Sequence, residues 1–127
     1  MVDGVELVEA EHIIAYKLVS HNEPQFQGHF PDAPVMPGVL LLEGIVQSAA
    51  LLAHHRGEFD ATSERLFLMT IDKVKFRQPV SPGQRLDYHV WALRGGKLWR
   101  GRGEIKVGGT EVASAEFTAA IRPLGEH

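Results

Sequence analysis

The sequence predicts an α+β fold in which one apolar helix is enclosed by an antiparallel sheet. Three observations lead there. Residues 39–53, VLLLEGIVQSAALLA, form an aliphatic segment whose polar side chains are Glu43, Gln47 and Ser48 alone. Two strand-like segments precede it and five follow, most of them rich in β-branched and aromatic residues. Between the later segments stand Pro82-Gly83, Gly95-Gly96 and Gly108-Gly109, which are turn or hairpin signals. Strands, one helix and then a run of strands is the segregated order of an α+β protein, not the alternation of an α/β one.

Taken in order, VELV (5–8) and HIIAYKLV (12–19) read as two strands joined by a turn at the acidic residues between them. Residues 20–36 form a loop holding Pro24, Gly28, Pro31 and Pro34. Proline at every third position favours an extended, polyproline-like path, so this loop is expected to be stiff. Pro37 suits the first helical position, where its missing N–H is not needed. The helix is expected over about 37–55, with His54, His55 and Arg56 near the C-terminal end of its dipole and Gly57 as the stop. A helix this apolar has to be enclosed. The segments RLFLMTI (65–71), KVKFRQPV (73–80), QRLDYHVWALR (84–94), KLWRGRGEIKV (97–107) and TEVASAEFTAAI (110–121) supply the enclosure, the last four as a long antiparallel meander. No internal repeat, low-complexity tract or linker interrupts the chain, so residues 1–127 are expected to form one domain.

Composition narrows the function. With 44% hydrophobic and 23% charged residues, a chain of 127 residues can bury a core without staples. The absence of cysteine excludes disulfides, thiolate nucleophiles and Cys-ligated metals. Sixteen acids against thirteen bases give a net charge of -3, a poor electrostatic start for nucleic-acid binding. The aliphatic segment is too short and too polar to span a membrane, and the acidic MVDGVELVEAEH lacks the apolar core of a signal peptide. A cytoplasmic protein is expected, with neither nucleic acid nor membrane as partner. The histidines at 12, 21, 29, 54 and 55 lack any zinc-ligand spacing, so no metal and no cofactor are expected.

The stretch GHFPDAPVMPGVLLLEG (28–44) carries the chemistry. Taken singly, Glu43 reads as a structural acid bonded by Gln47 or by loop backbone, and His29 as a residue that caps a loop. Together they say more. A stiff loop leads His29 to the start of a helix whose second turn presents Glu43. Gly38 lies in the first turn, where backbone N–H groups lack intrahelical partners, and without a Cβ it allows a carbonyl to approach closely. An imidazole base, a carboxyl acid and a backbone donor for a developing enolate are what proton abstraction beside a carbonyl requires. Lys73, Lys75 and Arg77 alternate with Val74 and Phe76, so they share one strand face. The ordinary reading is a solvated face. The other is a docking patch for an acidic carrier protein or the phosphates of its pantetheine arm. Arg100 and Arg102 make a fainter case of the same kind.

The motif GHFPDAPVMPGVLLLEG resembles that of the β-hydroxyacyl-acyl-carrier-protein dehydratases of type II fatty-acid synthesis, and the resemblance continues through NEPQFQ before it and IDKVKFRQPVSPG after the helix. It implies the hotdog fold, a long central helix wrapped by a curved antiparallel sheet. It implies that His29 is the catalytic base, Glu43 the catalytic acid and Gly38 the N–H donor to the thioester carbonyl. Gln47, Phe30, Pro37 and Phe67 take substrate-binding or supporting positions. The expected reaction dehydrates a 3-hydroxyacyl thioester, on acyl-carrier protein or CoA, to the trans-2-enoyl thioester. Glu43, expected to be buried among Leu40, Leu42 and Val46, gives its proton to the departing hydroxyl. The resemblance also implies a homodimer whose active sites lie at the interface, His29 of one subunit facing the acid of the other, with a trimer of dimers as the larger assembly. A glutamate at 43 resembles the general dehydratase and not the dehydratase/isomerase. Gly44 stands where alanine is common and could leave room beside Glu43, and Phe67 stands in for an aromatic gate. Alternatives are a hotdog thioesterase, an enoyl-CoA hydratase or polyketide-pathway dehydratase, and a non-catalytic acyl-binding subunit.

Overall fold

The computed structural model describes residues 2–19 and 38–125, with the backbone alone at positions 39 and 40. Its elements run β1 (Gly4–Val8), β2 (His12–Leu18), α1 (Gly38–His55), β3 (Glu64–Phe76), β4 (Arg85–Arg94), β5 (Leu98–Val107) and β6 (Thr110–Pro123). All strand pairings are antiparallel, in the order β1-β2-β4-β5-β6-β3. The helix α1 lies on one face of this sheet, chiefly against β4. Among the described residues no helix is long and apolar enough to cross a membrane.

The helix sits on the sheet through Leu41, Ile45, Ala49 and Leu52, spaced four, four and three apart, each buried. They meet the inward side chains of alternate strand residues: Ile13 and Ala15 on β2, Leu86, Tyr88 and Val90 on β4, Trp99 and Ile105 on β5, and Phe117 and Ala119 on β6. Gly103 lets the backbone of β5 approach the helix, since a β-carbon there would lie 2.3 Å from Ile45 Cγ2. The helix ends as its sequence predicts. Gly57 takes φ 75°. Its N–H donates to His54 and the Glu58 N–H donates to Ala53, each at 3.0 Å, which satisfies two of the last free carbonyls. Beyond the end, the Glu58 carboxylate accepts from the buried Trp99 Nε1 at 2.8 Å, the Gly96 N–H at 2.5 Å and Arg56 Nε at 2.9 Å.

Two expectations about the strands are corrected. RLFLMTI and the first half of KVKFRQPV form one strand, β3, with irregularities between Leu68 and Thr70 and between Asp72 and Lys75, where Lys73 adopts φ 52°. The second correction concerns topology. The meander comprises β4, β5 and β6, while β3 pairs with β6 at the edge of the sheet and never meets β4. Both sides of β4 are taken, by β2 and β5. The link over 77–84 is too long for a tight hairpin and crosses the end of the sheet instead. Its Gly83 N–H bonds the Val19 carbonyl at 2.8 Å, and Val19 N–H bonds Gln84 at 3.0 Å. The two-residue turn Gly108-Gly109 between β5 and β6 holds as predicted, both residues at positive φ.

Candidate active site

Each predicted site residue on α1 owes its direction to the helix phase. Leu41 and Ile45 point to the sheet, so Glu43 between them points away from it and is exposed. The expected burial of Glu43 is thus corrected: the sheet encloses one side of the helix only. Glu43 lines a groove of about 440 Å³ between α1 and β3, with Leu42 and Val46 from the helix and Leu66, Phe67, Leu68 and Ile71 from the strand. Among these it is the one charged side chain. A carboxyl set in an otherwise apolar wall is placed to act on a polar group at one end of a hydrocarbon chain.

Gly38 opens on a different cleft, of about 300 Å³, at the N-terminus of α1, shared with Leu41, Phe76, Arg77, Gln78, Pro79 and Val80. The Phe76 ring stands over it, so a β-carbon at Gly38 would lie 2.7 Å from Phe76 Cζ. Being five residues apart, Gly38 and Glu43 sit about 140° apart round the helix and roughly 7.5 Å apart along it. The chain therefore presents its helix N-terminus and its acid in separate openings. Gln47 does not bridge to Glu43 among the described residues; its Oε1 accepts the Val2 N–H at 3.2 Å. Phe67 lies in the groove with Glu43 and is exposed. His29, Phe30 and Pro37 lie outside the described residues.

Gly44 has a reason that the residues around Glu43 do not supply. A β-carbon there would lie 2.4 Å from Cε1 of the fully buried Tyr88, so the vacancy is filled by β4 and leaves no room beside the acid. The basic trio does not share one strand face as expected. Lys73 sits at φ 52° in the irregularity between Asp72 and Lys75, and Arg77 lies beyond the end of β3 and lines the Gly38 cleft. The trio is mostly neutralised. Lys73 pairs with Glu116 at 3.2 Å and Arg77 with Glu111 at 2.5 Å, while Lys75 makes no ion pair among the described residues. Arg100 also pairs with Glu116, at 2.9 Å. The carboxyl of Glu116 is held below its ordinary range by the hydrogen bond from Lys73, against the opposing effect of desolvation, with Arg100 adding to it.

Sequence reasoning did not single out Leu66, Leu68 and Ile71 as groove residues or Phe76 as the cover of Gly38. A signal for the groove is present in the unbroken apolar run LFLM, because an edge strand with one face in water would alternate.

The family model of the FabA-like domain matches residues 1–116. Among curated proteins, the 3-hydroxyacyl-[acyl-carrier-protein] dehydratase FabZ of Sorangium cellulosum is 48% identical over 123 residues, covering 95% of this chain and 79% of that protein. The protein of the same name from Methylobacterium sp. (strain 4-46) is 50% identical over 119 residues, covering 92% of this chain and 72% of the relative. Among solved structures, the dehydratase heterocomplex ApeI:P from Xenorhabdus doucetiae matches with a TM-score of 0.80 at 19% identity, over 95% of this chain and 82% of that one. The likeness to that structure is one of fold, the helix α1 against a curved antiparallel sheet that the hotdog resemblance implies.

Proposed function

The chain belongs to the FabA-like family, and from that premise we propose that it dehydrates 3-hydroxyacyl thioesters carried on acyl-carrier protein to trans-2-enoyl thioesters in fatty-acid synthesis. The observation that carries the reading is Glu43, the one charged side chain among the described residues that line an apolar groove suited to an acyl chain.

In this mechanism neutral His29 removes the α-proton while the Gly38 N–H, at the positive end of the helix dipole, holds the thioester carbonyl as enolate charge develops. Glu43 protonates the β-hydroxyl, the C–O bond breaks, and water leaves with the electron pair of that bond. Regeneration returns the proton from His29 to Glu43 through solvent.

We place the working site between two subunits. Gly38 and Glu43 open on separate clefts of one chain, so a second copy is what brings one subunit's helix N-terminus to the other's acid. The edge strand supports the same assignment: β3 exposes Phe67, Leu68, Met69, Val74 and Phe76, an apolar strip that a free edge in water does not keep. The dimer, its extension to a trimer of dimers, the cytoplasm as its compartment and docking of the acidic carrier at Lys73, Lys75 and Arg77 are parts of this proposal. Lys75 is the member of the trio without an acidic partner among the described residues.

Following enoyl absorbance with 3-hydroxyacyl carrier-protein substrates tests the reading. Wild-type turnover is expected, with kcat reduced roughly 100-fold or more in Glu43→Gln and in His29→Ala. Release of free thiol without enoyl product would instead make the protein a thioesterase, and full dehydration by either variant would remove that residue from the mechanism.

A further inference from the structure

The groove that holds Glu43 does not end in solid core. Three of its walls, Leu42, Val46 and Ile71, are also walls of a second, much smaller void of about 10 Å³, closed on its far side by Ile45, Ala115 and Phe117. The local structure explains the partition. Leu42 and Val46 are four apart and stack on one face of α1. Ile71 sits opposite Phe117 in the β3–β6 ladder, so the two side chains share the inner face of the sheet. Leu42, Val46 and Ile71 are half-buried, whereas Ile45, Ala115 and Phe117 behind them are buried. The three therefore stand between groove and core.

The void has room for about one water molecule but offers it no hydrogen-bonding partner among the described residues, whose lining side chains are all hydrocarbon. Such a space stays dry. Its walls lack contacts on one side, and a methylene group entering it recovers them.

Resting on the dehydratase reading above, we infer that Ile71, braced by Leu42 and Val46, is the end wall of the acyl channel and sets the acyl-chain length this enzyme favours. The void behind it is the space that becomes available when the wall is trimmed. Ile71 acts on the far end of the substrate and takes no part in proton transfer, so its effect belongs in the ratio of kcat/KM between long and short chains. One methylene in an apolar pocket is worth roughly tenfold or more in such a ratio.

The test compares 3-hydroxybutanoyl, 3-hydroxyoctanoyl and 3-hydroxydodecanoyl thioesters on wild type, Ile71→Ala, Ile71→Val and the double variant Ile71→Ala/Ala115→Val, each checked for folding by its thermal melt. The dodecanoyl-to-butanoyl ratio is expected to rise roughly tenfold or more in Ile71→Ala, to rise less in Ile71→Val, and to fall back when Ala115→Val refills the void from behind. An unchanged ratio in both single variants, or equal loss at every chain length, overturns the inference while leaving the dehydratase reading in place. Absence of dehydration by wild type at every length overturns that reading, and this inference with it.

Discussion

At the scale of single residues, the structure gives physical reasons for side chains that the sequence presents as oddities. Gly44 interrupts an aliphatic helix because the ring of Tyr88 occupies the place of its side chain. Gly44→Ala gains about 0.5–1 kcal/mol of helix propensity but overpacks a buried ring, so a net loss of about 1–2 kcal/mol is expected from the urea midpoint. A net gain would mean that Tyr88 moves freely, against its full burial. Glu58 is the second case. Burial raises its pKa, but hydrogen bonds from Trp99, Gly96 and Arg56, together with the Arg56 charge, outweigh this and hold the carboxyl below its ordinary value. A carboxyl whose folded pKa is depressed adds stability that is present above the unfolded value near 4.5 and is lost as pH falls through the folded one. Glu58→Ala leaves the buried Trp99 N–H without its acceptor and should cost about 1–3 kcal/mol at neutral pH. In denaturant titrations at stepped pH, the gap between wild type and variant should narrow below about pH 4.5. A gap independent of pH would make the charge of Glu58 irrelevant.

Among the elements, α1 and β3 carry the consequences. The aliphatic run 39–53 announces a helix, and its boundary at Gly57 follows from residues adjacent in sequence. Which of its faces the sheet covers depends on partners far along the chain, so the exposure of Glu43 is not legible in the sequence. Strand β3 shows the same limit. RLFLMTI and KVKFRQPV each look like strands, yet their fusion depends on Lys73 in the left-handed region and on a ladder with β6, whose paired residues stand 37 to 59 positions away in the chain. Lying at the sheet edge with Leu68 and Met69 exposed, β3 is expected to pair with a second copy. Leu68→Lys combined with Met69→Lys should shift the protein from dimer to monomer in sedimentation at micromolar concentration, with far-UV circular dichroism retained. A dimer that survives both charges would move the interface elsewhere.

For the whole molecule, the separation of the Gly38 cleft from the Glu43 groove has a direct kinetic consequence. When His29→Ala and Glu43→Gln subunits are mixed and allowed to exchange, each heterodimer holds one site with both groups intact and one with neither. Activity should therefore return toward half of the wild-type value per heterodimer if the groups face each other across subunits, whereas sites contained within one chain would give no recovery. The features legible in the sequence are local: the helix and its stop, the Gly108-Gly109 hairpin, and the candidate chemistry gathered in residues 28–44. Long-range packing sets the crossing of β3 to the far edge, the groove that Glu43 shares with Phe67 and Ile71, and the separate opening at Gly38. The physical reason is that capping, turn geometry and side-chain period act over a few residues. Sheet order and helix phase against the sheet are instead set by which apolar surfaces find one another across the whole chain.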